Sequence, residues 1–445
     1  MKISIIGCGY VGLVSGLCLA EKGHKVFGID KDIEKINSLK KNDPLIYEKG
    51  LKKLLKKHNY KNFIVSNDIN KSIQETDVTM IAVGTPFFKN KIDLSLIKNV
   101  AKEIGIAMKY KNSYHSVIVK STVVPGTTDG LVRKTLEKYS SKKAGIDFGL
   151  GMNPEFLREG SAVLDFMNPD RLVFGGSNAR IHKVQKEMYS KFKGVSLIKT
   201  NNKTAEMIKY SSNSFFATLI SFSNEIGNLC EKLEEVSSNE VLNAVKLDGR
   251  ISPILRNGKR ISPQLETYLK SGCGFGGSCF PKDLKALVSF GEDQKESMEL
   301  MKSVLEVNSN QPTKVINKLK KHYKTFKGKN ITILGLSFKP ESDDIRESPS
   351  IEIIKKLLKL GAKIKAHDPM ANKNTMKLFK KNDLKFFNNL KDAIDGSEII
   401  LVLTAWKQFK SLNKIIDKNK TTPLIVDGRN FLDVKKYKNI EVLGA

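Results

Sequence analysis

The spacing of apolar positions changes along the chain, and the changes predict its elements. Over the first 200 residues, short β-branched runs alternate with stretches whose apolar residues recur every three or four positions, the pattern of a parallel sheet covered by helices. Runs at 2–6, 25–30, 79–83, 116–120, 147–151 and 171–174 predict strands. From 204 to about 235 there is no proline and one glycine, and the helical spacing persists. This predicts one long helix, suited to a spine between domains. A turn-rich segment at 247–281 follows, then a second helical stretch at about 294–321. Strand-like runs restart at 331–336, 363–367, 398–403 and 424–427.

With 445 residues the chain is too long for one hydrophobic core. It has 40% apolar and 28% charged residues, an ordinary globular balance. It lacks any run of about 18 apolar residues, and its N-terminus reads as a strand entering a glycine turn rather than a signal peptide. The expectation is a cytoplasmic protein with no membrane partner. Five cysteines without a CxxC pair argue for reduced thiols and against a disulfide framework or a metal site. Lys and Arg number 76 against 47 Asp and Glu, a net charge of +29 that invites a nucleic-acid reading. The lysines are spread along the chain, however, and form no basic arm with interleaved aromatics, so no nucleic-acid partner is expected. The positive field would still attract an anionic dinucleotide or sugar nucleotide.

Gly7-Cys8-Gly9-Tyr10-Val11-Gly12 is a G-x-G-x-x-G placed directly after a strand and opening a helix, and the next strand ends in Asp30. Gly7 permits the tight turn, and Gly9 lets a pyrophosphate approach backbone amides at the positive end of the helix. Asp30 is placed to accept hydrogen bonds from adenosine ribose hydroxyls and to repel a 2′-phosphate. NAD is therefore favoured over NADP, a preference tempered by Lys31 and Lys35. Two further strand ends, at Gly84-Thr85-Pro86 and Ser121-Thr122, point to the same crevice, where short hydroxyls can reach phosphate or ribose. The expected fold class is α/β: two Rossmann-like doubly wound domains (1–200 and 313–445) joined by a helical central domain (201–312).

Gly272-Cys273-Gly274-Phe275-Gly276-Gly277-Ser278-Cys279-Phe280-Pro281-Lys282-Asp283 is the most unusual segment. Its glycines remove side-chain bulk, so that amides can close around a ligand. Cys279, just before a helix expected from about Asp283, is the candidate nucleophile, with Lys282 favouring its thiolate. Cys273 is read as structural.

The run Gly276 to Asp283 resembles the active-site signature of the UDP-glucose/GDP-mannose dehydrogenase family. Asn153-Pro154-Glu155-Phe156-Leu157-Arg158-Glu159-Gly160, Asn168-Pro169-Asp170-Arg171, Glu206-Met207-Ile208-Lys209-Tyr210 with Asn213, and Gly335-Leu336-Ser337-Phe338-Lys339-Pro340 with Asp343 to Glu347 are similar to other blocks of that family, in order and spacing. The resemblance implies a four-electron oxidation of UDP-glucose to UDP-glucuronate with two NAD reduced, through a Cys279 thiohemiacetal and thioester. It makes Asp283 the group that orients water or takes a proton. Lys209 and Asn213 become the oxyanion clamp, and Glu155 the proton handler in hydrolysis, with Thr122 holding water. NAD would meet Gly7, Gly9, Val11, Gly12, Asp30, Lys35, Thr85, Thr122, Glu159, Lys282 and Arg346. The nucleotide sugar would meet Glu155-Phe156-Leu157-Arg158-Glu159, Lys209, Asn213, Tyr268-Leu269-Lys270-Ser271-Gly272, Gly276 and Lys339. Arg250-Ile251-Ser252-Pro253 recurs as Arg260-Ile261-Ser262-Pro263, where many relatives carry one Arg-Ile. Arg260 is preferred as the substrate arginine and Arg250 stays open. The long helix resembles the family's dimer spine, so a homodimer or larger homo-oligomer is expected. The rival readings are the same chemistry on GDP-mannose or a UDP-N-acetylhexosamine, and a two-electron hydroxyacid dehydrogenase.

Overall fold

A computed structural model describes residues 1–380, 382–419 and 422–444, with 418 and 419 described by their backbone alone. The chain divides into two compact units, 1–212 and 213–445.

The first unit is built on an eight-stranded sheet. Its strands are β1 (Lys2–Ile6), β2 (Lys25–Ile29), β3 (Phe63–Ser66), β4 (Val78–Ile81), β5 (His115–Val119), β6 (Phe148–Met152), β7 (Arg171–Gly176) and β8 (Ser196–Thr200). They lie in the order 8-7-6-5-4-1-2-3, parallel throughout except where β6 meets β7. Both faces are covered. Ile3, Ile5, Val78, Met80 and Ile118 pack on one side with helix α1 (Tyr10–Glu21), while Ile6, Ile81, Val117 and Val119 pack on the other. This two-sided burial is why the strands read as near-continuous apolar runs rather than alternating ones. The strand order reverses between β1 and β4. Gly7 and the segment 82–86 leave the sheet there, at the crevice where doubly wound sheets take ligands.

Two strands of this sheet have no counterpart in the sequence reading. β3 has only four residues, too short for a periodic signal. β8 is an edge strand with Leu197 and Ile198 exposed, so no buried face marks it, and only its pairing with β7 makes it a strand.

In the second unit a six-stranded, all-parallel sheet comprises β9 (Asn330–Leu334), β10 (Lys363–His367), β11 (Leu384–Phe386), β12 (Ile399–Val402), β13 (Leu424–Asp427) and β14 (Ile440–Val442), in the order 11-10-9-12-13-14. β11 and β14 hold three residues each and were not legible as strands. The unit repeats the turn of the first: Gly335 follows β9 at φ +96°, as Gly7 follows β1 at φ +98°. The acidic residue after the second strand repeats as well, but with a different fate. Both oxygens of Asp368 are filled, by the amides of Leu336, Ser337, Met370 and Ala371, the Ser337 hydroxyl and the Trp406 indole. It is a structural staple and not a ribose acceptor.

The helices in the middle of the chain include α2 (Asn202–Cys230), 29 residues long, in which the division at 212/213 falls, α3 (Phe280–Asp293) and α4 (Glu299–Lys320). The helix at the reactive loop starts at Phe280, earlier than expected, because Pro281 in its first turn has no amide to leave unpaired. Among the described residues no helix is long and apolar enough to cross a membrane, and no cluster of His, Cys, Asp or Glu is arranged to hold a metal ion.

Candidate active site

In the first unit the glycine turn has the shape its motif demands. A Cβ at Gly7 would lie 2.8 Å from the carbonyl oxygen of Ala82, and one at Gly12 would lie 1.8 Å from that of Gly7. Those two glycines therefore serve close packing of strand, turn and helix. Gly9 differs: a Cβ there would meet no atom within 4 Å, and the same holds at Gly84. Gly9 is also the N-cap of α1 and offers no side-chain cap, so the first-turn amides face open space. That is the cradle a pyrophosphate fills. Asp30, buried beside it, accepts hydrogen bonds from the Cys8 and Asp32 amides and from the Lys35 ammonium at 2.9 Å. Burial alone would raise its pKa, but Lys35 and the two amides outweigh burial and hold the carboxyl below its usual range. Asp30 is thus an ionised acceptor and Lys35 is its counter-ion. The Thr85 hydroxyl donates to the Thr122 carbonyl at 2.7 Å, tying together the two loops that carry these residues.

Glu155 lies at the centre of a second cluster in this unit. Its carboxylate forms a 2.9 Å ion pair with Lys209 and accepts the Leu157 amide, and both charged side chains are buried. Burial works to raise the Glu155 pKa. The Lys209 charge and hydrogen bond, the Leu157 amide and the more distant Lys120 charge prevail and lower it. The Phe156 ring lies under the Arg171 guanidinium at 3.9 Å, with Lys209 5.5 Å from its centroid. Arg158 is exposed and bonded to Asp165, leaving the backbone of the 155–159 loop as its contribution to a site. Glu159 is half-buried, and Gly160 donates its amide to Glu48, which also accepts the Tyr10 hydroxyl.

The second unit holds the reactive loop. Cys279 is the one cysteine of the five that is not buried; it is the N-cap of α3, with the Ser278 hydroxyl 3.6 Å from its sulfur. Burial pushes the Cys8 and Cys18 thiols up to about 12 and raises that of Cys273, which keeps all three neutral. Asp283, one turn along α3, is buried and accepts the Asn213 side-chain amide at 2.6 Å and the Lys282 ammonium at 2.5 Å. Asn213 is therefore engaged in orienting Asp283, and Lys282 is paired with that carboxylate.

The loop glycines have a job the sequence reading did not assign. The amides of Gly272, Cys273, Phe275 and Gly277 donate to Asn224, Gly428, Asn308 and Arg346, so most of the loop's amides are spent inside the protein. A Cβ at Gly276 would lie 2.3 Å from the Glu347 carbonyl oxygen, and one at Gly277 would strike the Phe338 ring. The glycines let the loop press against the 338–347 segment. Tyr268 stacks on Phe216 at 4.6 Å, Leu269 is buried, and the Ser271 hydroxyl is engaged by Ser238 and Asn430. Lys270 lies beside them with its pKa lowered by burial, against the pull of Asp427. Lys339 lies 5.5 Å from the Phe338 ring centroid and Arg346 is bidentate on Asp344. One Arg260 nitrogen is pinned by the carbonyls of Leu247 and Ser252, and Arg250 is exposed and bonded to Asp248. The two Arg-Ile-Ser-Pro copies pair with each other through the Ser252 hydroxyl on Ile261 and the Ile261 amide on Pro253.

Two positioning groups escaped sequence reasoning. Arg429 donates to the carbonyls of Gly274 and Leu403, fastening the glycine loop to the end of β12. Lys120 is buried at the end of β5 and bonded to Asn153. For Lys120 the available signal was a charged residue straight after an apolar strand.

Residues 1–193, 203–310 and 332–434 match, in turn, the NAD binding, central and UDP binding domains of the UDP-glucose/GDP-mannose dehydrogenase family. The chain is 39% identical over 442 residues to UDP-glucose 6-dehydrogenase TuaD of Bacillus subtilis (strain 168), covering 98% of this chain and 91% of TuaD. It is 35% identical over 448 residues to UDP-glucose 6-dehydrogenase AglM of Haloferax volcanii, covering 100% of both. The solved structure of a UDP-glucose dehydrogenase from the hyperthermophilic archaeon Pyrobaculum islandicum matches it with a TM-score of 0.90 at 35% identity, covering 100% of this chain and 97% of that one. With the open pyrophosphate cradle at Gly9 and the ionised acceptor at Asp30, these likenesses establish that the chain belongs to the UDP-glucose/GDP-mannose dehydrogenase family, the NAD-dependent oxidoreductases of nucleotide sugars.

Proposed function

We propose that the chain oxidises UDP-glucose to UDP-glucuronate, with two NAD reduced per sugar and Cys279 as covalent catalyst, working in the cytoplasm as a homodimer or larger assembly. The observation that carries the chemistry is the setting of Cys279: the one cysteine that is not buried, at a helix N-terminus, with a buried carboxylate held in place one turn away. NAD, when bound, supplies the hydride acceptor for both oxidations. The protein's own residues do the rest. As the primary hydroxyl gives its proton to Asp283, Lys209 stabilises the alkoxide that forms. The Cys279 thiolate adds to the aldehyde carbon, forming a C–S bond and a thiohemiacetal, and the second oxidation leaves a thioester. Water, with Asp283 or Glu155 taking its proton and Thr122 holding it, attacks the carbonyl carbon; the C–S bond breaks and the thiolate leaves.

In this reading residues 1–200 hold NAD, 201–312 carry Cys279 and the assembly face, and 313–445 hold the UDP-sugar. Exposed Phe215, Phe222 and Leu229, seven residues apart along α2, support assembly through that helix. NADH counted against UDP-glucose tests the proposal: two per sugar for the wild type, and no completed turnover for Cys279→Ala. One NADH per sugar, or full turnover by the variant, overturns it. A signal from GDP-mannose or a UDP-N-acetylhexosamine with none from UDP-glucose replaces the sugar and keeps the chemistry.

A further inference from the structure

We propose that Lys120 is a positioning residue for this oxidation, holding the turn that carries Glu155 and setting the charge of the Glu155–Lys209 pair from behind it. The inference rests on the functional reading above only in naming Glu155 and Lys209 as working groups; the cluster itself is a feature of the first unit.

The Lys120 side chain leaves β5 into the protein interior, where its ammonium donates to Asn153 Oδ1 at 3.0 Å and to the Asn153 carbonyl at 3.4 Å. Asn153 is fixed on its other sides. Its amide donates to Val119, its Nδ2 donates to Val173, and its Oδ1 also accepts the Tyr189 hydroxyl at 2.6 Å. Lys120 thus fastens the residue two positions before Glu155 to the central strands of the sheet. The nearby Phe166 ring, 5.8 Å away, closes the apolar side.

All of these hydrogen-bond partners are neutral. A buried ammonium without a counter-charge is among the costliest groups a protein can hold, and among the described residues the carboxylate acting on Lys120 is Glu155, already paired with Lys209. Glu155 therefore feels the charge of two buried ammonium groups. An ion pair that only stabilised the fold would need no second cation. The second positive charge behind Glu155 helps to keep that carboxylate ionised as a proton acceptor. The Lys120 charge is adjustable. Burial, aided by repulsion from Lys209 and opposed by Glu155, brings the Lys120 pKa down to about 8, so the extra charge is lost just above neutral pH. The groups facing Lys120 are Asn153, Tyr189, Phe166, Glu155 and Lys209; the Tyr189 hydroxyl, its pKa raised by burial, stays neutral there.

The test compares wild type, Lys120→Met and Asn153→Asp, using whichever nucleotide sugar the wild type oxidises. Lys120→Met is expected to lower kcat about tenfold or more with KM for NAD little changed, and to abolish an alkaline fall in kcat near pH 8. Asn153→Asp adds a negative charge beside the ammonium and is expected to move that fall to higher pH. A folded Lys120→Met with kcat within about twofold of wild type and the same pH profile overturns the proposal, as does an unmoved profile in Asn153→Asp if the methionine variant fails to fold. Nitrogen-15 NMR of the lysine side chains provides a readout independent of substrate. A signal titrating near pH 8 and absent from Lys120→Met supports the proposal even if no nucleotide sugar is turned over, and its absence overturns it.

Discussion

Replacing Glu155 by Gln isolates the charge on which the first unit's cluster depends. The amide oxygen of Gln can still accept the Leu157 amide, so the substitution removes charge with little change of shape. What it breaks is the 2.9 Å pair with Lys209, buried on both sides. Breaking a buried pair by removing one partner costs about 3–5 kcal/mol, because the other charge is left uncompensated. Here two ammonium groups lose their counter-charge, Lys209 directly and Lys120 at longer range, so the upper half of that range is expected. Urea unfolding at pH 7.5 of Glu155→Gln, Lys209→Met and the double variant measures it. The double variant should be more stable than Glu155→Gln alone, with a coupling of about 2–3 kcal/mol. The pH dependence has a definite sign. Lys209 and the Leu157 amide hold the folded carboxyl below its ordinary value of 4.5 despite burial. Its stabilising contribution is therefore complete above pH 4.5 and disappears as the pH falls through the lower, folded value. The gap between wild type and Glu155→Gln should persist at pH 6, above the titration of Glu155 and below that of Lys120, and narrow below about 4.5. A gap under about 1 kcal/mol at pH 7.5, the worth of an exposed pair, or one insensitive to acid, would refute the reasoning.

Gly12→Ala places a Cβ 1.8 Å from the Gly7 carbonyl oxygen, which forces the turn open. Overpacking of this kind costs about 1–3 kcal/mol; NAD titration and thermal melting should show weakened cofactor binding together with a lower Tm. Glu206, buried on α2, accepts the amides of Gly126 and Thr128, and burial brings its pKa up to about 7 against those two bonds. A raised carboxyl stabilises the fold fully below pH 4.5 and loses that contribution as the pH rises to about 7, a change of about 3 kcal/mol. Unfolding of Glu206→Gln at pH 5 and pH 8 should lack this slope, and an unchanged slope would count against the assignment.

Elements with a buried face could be read from the chain, because burial imposes a period on the residues. β1, β2, β5 and the long α2 all follow that rule. β8 could not be read, since its side chains are exposed and its existence depends on hydrogen bonds to β7. The same limit applies to the site. The glycines of residues 7–12 could be assigned because a tight turn and a helix start are local demands. The loop at 272–277 was read as a ligand cradle, whereas its amides go chiefly to Asn224, Asn308, Arg346 and Gly428, residues distant in sequence.

The sequence by itself determined the α/β layering, the cofactor turn with its acidic acceptor, and Cys279 as the thiol set apart at a loop's end. Each is written within a short stretch of chain, where periodicity and steric rules act between neighbours. Only the tertiary structure decided which charge meets which: Lys209 on Glu155, Asn213 and Lys282 on Asp283, Lys35 on Asp30, and Lys120 left with neutral oxygens and a shared carboxylate. The physical reason is range. Electrostatics inside a protein depends on burial and on separations of a few ångströms between groups that the chain brings together only when folded.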